Sequence, residues 1–373
     1  MNGELSFSGD LRRWARLMLL VGAAALLVLL ALAALDPAAF FHACLFAFML
    51  WLGVPIGCMA ILMTHQLTGG RWGWSLRGLL EPGVRTLPLL VVLFVPVAIG
   101  LPWLYEWTHE AAVIESAVLR AKTGYLNVPF FFVRAVVFFA VWLSWGLLLV
   151  RWVTAGASAR LRYRWSAAGL IVLVLTTTFA GIDWVGSLEA EWYSSMFGLY
   201  IFIAQLLTAY TVIIIPVLAW RQHHGQAMDA ELMRDMGNLL LMLVVLHAYV
   251  AFSQFFIIWN GNLPHEVAWY VPRLEGVWLG FALVIIFGHF MLPFAALLFR
   301  HVKQTPRMLM AVAGWVFVAQ VLETAWFVLP SAEGIGAAGA LMAVAALVGF
   351  GGVWLALFLW QTGRSAPTGG EHG

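Results

Sequence analysis

Long apolar runs alternate with short polar breaks along the whole chain, and that alternation predicts its elements. Runs long enough to cross about 30 Å of hydrocarbon fall at 14–35, 40–63, 86–105, 129–150, 165–182, 195–220, 236–259, 278–300, 308–329 and 338–361. Each predicts one transmembrane helix, about ten in all, so the expected fold class is an all-α integral membrane protein. Pro55, Pro96, Pro216 and Pro293 interrupt spans, which membrane helices tolerate where neighbouring groups satisfy the freed carbonyls. Only the breaks at 106–128 and 260–277 could hold much structure outside the membrane. No linker divides the chain, so 1–373 reads as a single polytopic domain with a short N-terminal segment, 1–13, and a disordered tail, 363–373. After the second span, a Thr68-Gly69-Gly70 turn leads into Arg77 and Glu81 at i, i+4, which predicts a short interfacial helix.

Composition agrees with the pattern. Of 373 residues, 63% are hydrophobic and 10% charged, against about 25% charged in a soluble domain. A soluble core of this length could not hide that much apolar surface. The net charge of +2 is scattered over segment ends, so nucleic acid is not an expected partner. Cys44 and Cys58 sit fourteen residues apart in one span, roughly 21 Å along a helix and too far for a disulfide. Neither belongs to a CxxC or CxxCH motif, which excludes attached haem c and thiolate-held iron–sulfur clusters. Arg12, Arg13 and Arg16 precede an apolar run that is long and lacks a convincing cleavage site, so it reads as a first span rather than a signal peptide.

Positive charge supplies an independent check on topology. With the N-terminus in the cytoplasm, 16 of the 20 basic residues fall on the cytoplasmic side, leaving Arg120, Lys122, Arg134 and Arg273 for the other side or the membrane. Both termini are then cytoplasmic. Glu106, Glu110, Glu115, Asp183, Glu189, Glu191, Glu266 and Glu275 collect in outer segments, with Trp103, Trp107, Trp184, Trp192, Trp259, Trp269 and Trp278 forming an aromatic belt.

Charge within hydrocarbon is costly and therefore informative. Glu323 lies in the ninth span with Gln320 one turn before it on the same face. His247 and His289 lie near the middles of the seventh and eighth spans, Gln254 shares the face of His247, and Arg134 enters the fourth span near its outer mouth. Helix–helix hydrogen bonding explains the histidines and Glu323 as readily as a proton path does, and Arg134 can snorkel to a loop carboxylate. His247 and His289 also suit an axial pair for haem b, although each span offers a single mid-membrane His. No metal site and no catalytic residue are expected.

Three segments together resemble the F subunit of bacterial alternative complex III, a quinol:cytochrome c oxidoreductase. They are His65-Gln66-Leu67-Thr68-Gly69-Gly70-Arg71-Trp72-Gly73 with Arg85-Thr86-Leu87-Pro88; Asp183-Trp184 with Ser187-Leu188, Trp192 and Ser194-Ser195; and Gly237-Asn238 through Phe252-Ser253-Gln254, Ile258-Trp259, Asn262, Glu266, Trp269-Tyr270, Arg273, His289-Phe290 and Pro293-Phe294. The resemblance covers roughly 40–330. It departs at Gln66, where the family often has a second His, and at Glu323 with Trp326, where Asp before Trp is usual.

The resemblance implies a polysulfide-reductase-type (NrfD-like) subunit of the bacterial inner membrane, built as two four-helix bundles with flanking helices. It implies no redox cofactor on this chain, quinone as a possible ligand, and haem c and iron–sulfur clusters on partner subunits beside a homologous quinol-binding membrane subunit. The expected proton path uses Glu323, His289, His247 and Asp183, with His65 and Arg85 near the cytoplasmic mouth. The expected docking face uses Trp184, Trp192, Trp259, Asn262, Glu266, Trp269, Tyr270 and Arg273. A secondary transporter, a stand-alone quinone- or haem-b-binding protein, and an oxidase-assembly protein are the competing classes.

Overall fold

The computed structural model describes residues 2–223, 229–332 and 336–365. Among them, ten helices are long and apolar enough to cross a membrane: α1 (Asp10–Leu32), α2 (Pro37–Thr68), α3 (Arg71–Ile99), α4 (Val128–Val153), α5 (Ala159–Leu188), α6 (Phe197–His223), α7 (Ala230–Gly261), α8 (Gly276–Leu298), α9 (Pro306–Ser331) and α10 (Ala337–Arg364). The protein is an all-α, multi-pass membrane protein.

Helix ends follow local chemistry. Asp36 caps α2 by accepting the Ala39 N–H, with Pro37 at the first helical position, where its missing N–H costs nothing. Asn127 caps α4 through Phe130 N–H, Ser158 caps α5 through Leu161 N–H, and Asp229 caps α7 through Glu231 N–H. The α2–α3 turn passes through Gly69 and Gly70 at φ 71° and 101°, a region costly for other L-residues.

Two rings of four helices share one seam. In the first, α2, α3, α4 and α5 pack each on the next, and α5 returns to α2; in the second, α6, α7, α8 and α9 close the same way. The seam is α2 against α6, which is so tight that a Cβ on Gly57 would lie 2.4 Å from the Cβ of Ala209. These two central helices are buried on most faces and carry mainly apolar or small side chains, with His42 and His65 on α2 and Gln205 and Thr208 on α6 among the polar exceptions. Outside the rings, α1 lies along α10, and a Cβ on Gly352 would meet the Cα of Gly22 at 2.6 Å. Close backbone approach of small residues is how membrane helices gain contact where lipid offers no hydrophobic drive.

The two ends of the barrel-like assembly differ. One gathers basic side chains: Arg71 pairs with Asp229, Arg77 reaches Val153 O, Arg162 reaches Gln66 and Lys303 reaches Asn238. The other gathers aromatics and short loop helices, including Glu110–Glu115, Ala117–Lys122 and Pro264–Val267.

Several boundaries differ from the hydropathy reading. The interfacial helix exists as Arg71–Val84, with an Arg77–Glu81 ion pair at 2.5 Å, but it runs on through a turn at Arg85 and Thr86 into the third span instead of lying apart from it. The fifth span reaches from Ala159 to Leu188 because Arg160, Arg162 and Arg164, which lower local hydropathy, extend the helix beyond the apolar stretch. Helix begins at Asn2 within the segment assigned as an N-terminal extension, and continues to Ser365 at the other end. The rest of the expected tail, 366–373, lies outside the described residues.

Candidate functional site

Glu323 is fully buried, with no exposure to solvent. It projects from α9 into the middle of the second ring and meets side chains from three other helices. Tyr200 of α6 donates to its Oε1 at 2.5 Å, and His247 Nε2 of α7 lies 2.8 Å from its Oε2. His289 of α8 places Nδ1 3.5 Å from the same Oε2. One turn back on α9, Gln320 meets His289 Nε2 at 3.2 Å, and Thr208 of α6 donates to Gln320 Oε1 at 3.3 Å. All of these side chains are buried.

The backbone of α8 is adapted to this meeting. Residues Val284–Met291 form a π-helix, a rare winding that often marks functional sites and shifts the register of the residues beyond it. His289 is its one fully buried residue, and Gly288 and Phe290 on either side are half-buried. Gly288 admits the Trp315 indole, whose N–H donates to the Gly288 carbonyl at 2.7 Å.

Two features extend the cluster. A cavity of about 20 Å³ lies between α2, α5, α6 and α9, lined by Met49, Gln205, Thr208, Gln320 and Thr324 among others. That is room for one water, and the buried Gln205 Oε1 has no hydrogen-bond partner. Toward the aromatic end, buried Gln254 stands about two turns beyond His247 on α7 and accepts from Ser194 at 3.5 Å.

Of the six residues expected along a proton path, the structure brings Glu323, His247 and His289 together. Asp183 is not with them. It sits in the first ring, bonded to Arg134 at 2.6 Å and to Tyr125 at 2.8 Å. Tyr105 beside it donates to Trp184 O at 2.9 Å. His65 lies at the basic end of α2, 3.1 Å from Gly70 O and edge-on to Trp72 and Trp74. Arg85 caps the helix Arg71–Val84. The sequence reading missed Tyr200 and Thr208, both on α6. Their eight-residue separation places them on one helix face, and that stripe of polar groups was the available signal.

The expected docking face changes more. Trp184, Trp192, Trp269, Tyr270 and Arg273 are buried within the chain, Glu266 is half-buried, and Trp259 and Asn262 are exposed. Trp184 belongs to α5 and the other four to loops, and all five side chains are consumed in intramolecular packing. Trp184 sits in a nest of Phe48, Phe94, Phe138, Phe139 and Trp142. Trp192 stacks on Trp269 at 5.0 Å. Arg273 lies 4.0 Å above Trp269 and donates to Trp269 O, Phe327 O and Ser331 Oγ. Burial pushes its guanidinium down to about 10, against the pull of Glu189.

The haem-b reading meets a steric limit. The His247 and His289 rings touch, with centroids 4.4 Å apart, which is direct ring contact and leaves no space for a macrocycle between them. No family model matches this chain, and no curated protein matches it.

Proposed function

We propose that this chain is a membrane subunit of a quinol-oxidising respiratory complex of the alternative complex III type, carrying no redox cofactor of its own and providing a proton-handling site at Glu323. The observation that carries the reading is the convergence of a fully buried carboxylate with two imidazoles and a phenol from four different helices. Titratable groups at membrane depth are costly and serve chiefly in ion and proton pathways. Gln254 and Ser194 extend the polar chain toward the aromatic end, and Gln320 with the adjoining cavity extends it into the seam between the rings. The two closed four-helix rings flanked by α1 and α10 are the architecture that the resemblance implies.

In this reading the chain lies in the bacterial inner membrane with its basic end toward the cytoplasm. The proton moves between Glu323 and His247, and Tyr200 holds the carboxylate in place. Partner subunits carry the haem c and iron–sulfur centres, and a sister membrane subunit binds quinol. The test is proton release per quinol oxidised by the complex in proteoliposomes. Glu323→Gln is expected to cut it by tenfold or more with subunit composition intact. Unchanged release and turnover in that variant would remove Glu323 from the function.

A further inference from the structure

We propose that His247, His289 and Glu323 form a binding site for one first-row divalent cation, zinc by preference, in the centre of the second ring. The ligand atoms of the three residues lie within 4.8 Å of one another. Both imidazoles approach the same carboxylate oxygen: His247 Nε2 stands 2.8 Å from Oε2 and His289 Nδ1 stands 3.5 Å from it. As a hydrogen-bonded arrangement this is poorly matched, because His289 Nδ1 is buried without a hydrogen-bond partner. As a ligand set it is well matched. Two nitrogens and one carboxylate oxygen, all from different helices, lie within 4.8 Å of one another.

The distances approach those of a zinc site, with the two imidazole nitrogens within 4.8 Å of each other. Bonds of about 2.0–2.2 Å to nitrogen and oxygen place neighbouring ligand atoms of a tetrahedron roughly 3.3–3.5 Å apart. The His289–Glu323 separation of 3.5 Å is already there, and the His247–Glu323 separation needs to open by roughly 0.6 Å. Imidazole donors favour zinc and its neighbours over magnesium and calcium, which call for oxygen. The surroundings are those a metal site needs, since outer partners orient the ligands. Tyr200 holds the other carboxylate oxygen, Oε1, and leaves Oε2 free to coordinate. The Gln320 amide contacts Nε2 of His289, and a half-turn of that amide lets its oxygen accept the ring N–H when Nδ1 is the ligand. The π-helix turns His289 inward and so supplies the third ligand from α8.

The metal site rests on geometry and uses the side chains of the proton-handling site, so a bound ion and direct proton exchange between Glu323 and His247 exclude one another. The full chain, purified in detergent at neutral pH without chelator from zinc-supplemented cells, is assayed by elemental analysis and zinc X-ray absorption. The expected result is about one zinc per chain, with imidazole nitrogens at about 2.0–2.1 Å. His289→Gln and the double variant His247→Gln/His289→Gln are expected to retain less than a tenth of it. His42→Gln, which alters a buried histidine outside the ring, is expected to retain all of it. Should the His variants fail to fold, removal of zinc from the wild-type chain by dipicolinate and its stoichiometric return on adding zinc chloride reads the same site. Less than a tenth of a metal ion per chain before and after zinc addition, or full retention in the folded double variant, would overturn the proposal. A metal-free chain whose Glu323→Gln variant still loses proton release removes this site and leaves the proposed function standing. A zinc-bound chain with normal release in that variant does the reverse.

Discussion

Glu323 depends on side chains that arrive from three other helices, and Asp183 shows the same economy in the first ring with a single strong partner. The Arg134–Asp183 pair is nearly dry, with side-chain exposures of 9% and 0%. Removing one member leaves the other charged and unpaired in a poor solvent, which typically costs about 3–5 kcal/mol. Asp183→Asn is therefore expected to lower stability by that order in denaturant unfolding in detergent micelles. Replacing both residues with leucine and methionine of similar bulk is expected to cost much less. Tyr200→Phe deletes a hydrogen bond to a carboxylate, worth about 1.5–3 kcal/mol, and the same unfolding assay reads it. Glu323, His247 and His289 were legible because an ionisable residue in an apolar run stands out by composition. Tyr200 was not, because a tyrosine near a span end looks like any interfacial aromatic until the partner helix is in place. The five buried members of the supposed docking face misled for the converse reason: aromatic belts and folded-back loops have the same local sequence, and only packing separates them.

At the scale of elements, span number and most limits follow from length and hydropathy, since backbone groups in lipid must bond within the helix. The π-winding of α8 left no trace in the pattern, because its residues are uniformly apolar apart from His289 and differ from an α-helix only in which neighbours they meet. Polar side chains at the basic end join elements that hydropathy treats as separate. Asp229 caps α7 through Glu231 N–H and binds Arg71 of α3 at 2.7 Å, and these two contacts, in that order, hold its carboxyl below the usual carboxylate range. A depressed carboxyl contributes stability that is present above its unfolded value near 3.8 and is lost as pH falls through the lower folded value. Asp229→Asn keeps the cap and removes the charge. It is expected to flatten acid sensitivity in that window, which a thermal melt series in detergent from pH 5 downward would record.

For the whole molecule, the two closed rings and their common seam explain why the chain needs no soluble domain to hold itself together. The seam runs through Gly57 and Ala209, so Gly57→Leu is expected to part the rings and halve the yield of monodisperse protein on size exclusion, or worse. Gentle extraction from native membranes bears on the assembly. Co-purification of multihaem c and iron–sulfur subunits with a sister membrane protein is the expected outcome of the proposed function. Emergence of a single colourless chain would move transport or assembly ahead of it.

The pairing of α1 with α10 also has a consequence in time. Among the ten spans, α1 is made before all the others and has its principal partner in α10. Roughly 300 residues separate them, and at about 5–20 residues per second the first helix waits on the order of 15–60 s in lipid before its glycine face is covered. Through that interval Gly22 lies open to other small-residue helices in the membrane. Arrival of α10 closes that opportunity, so its insertion is also the moment this face stops being available to the wrong neighbour.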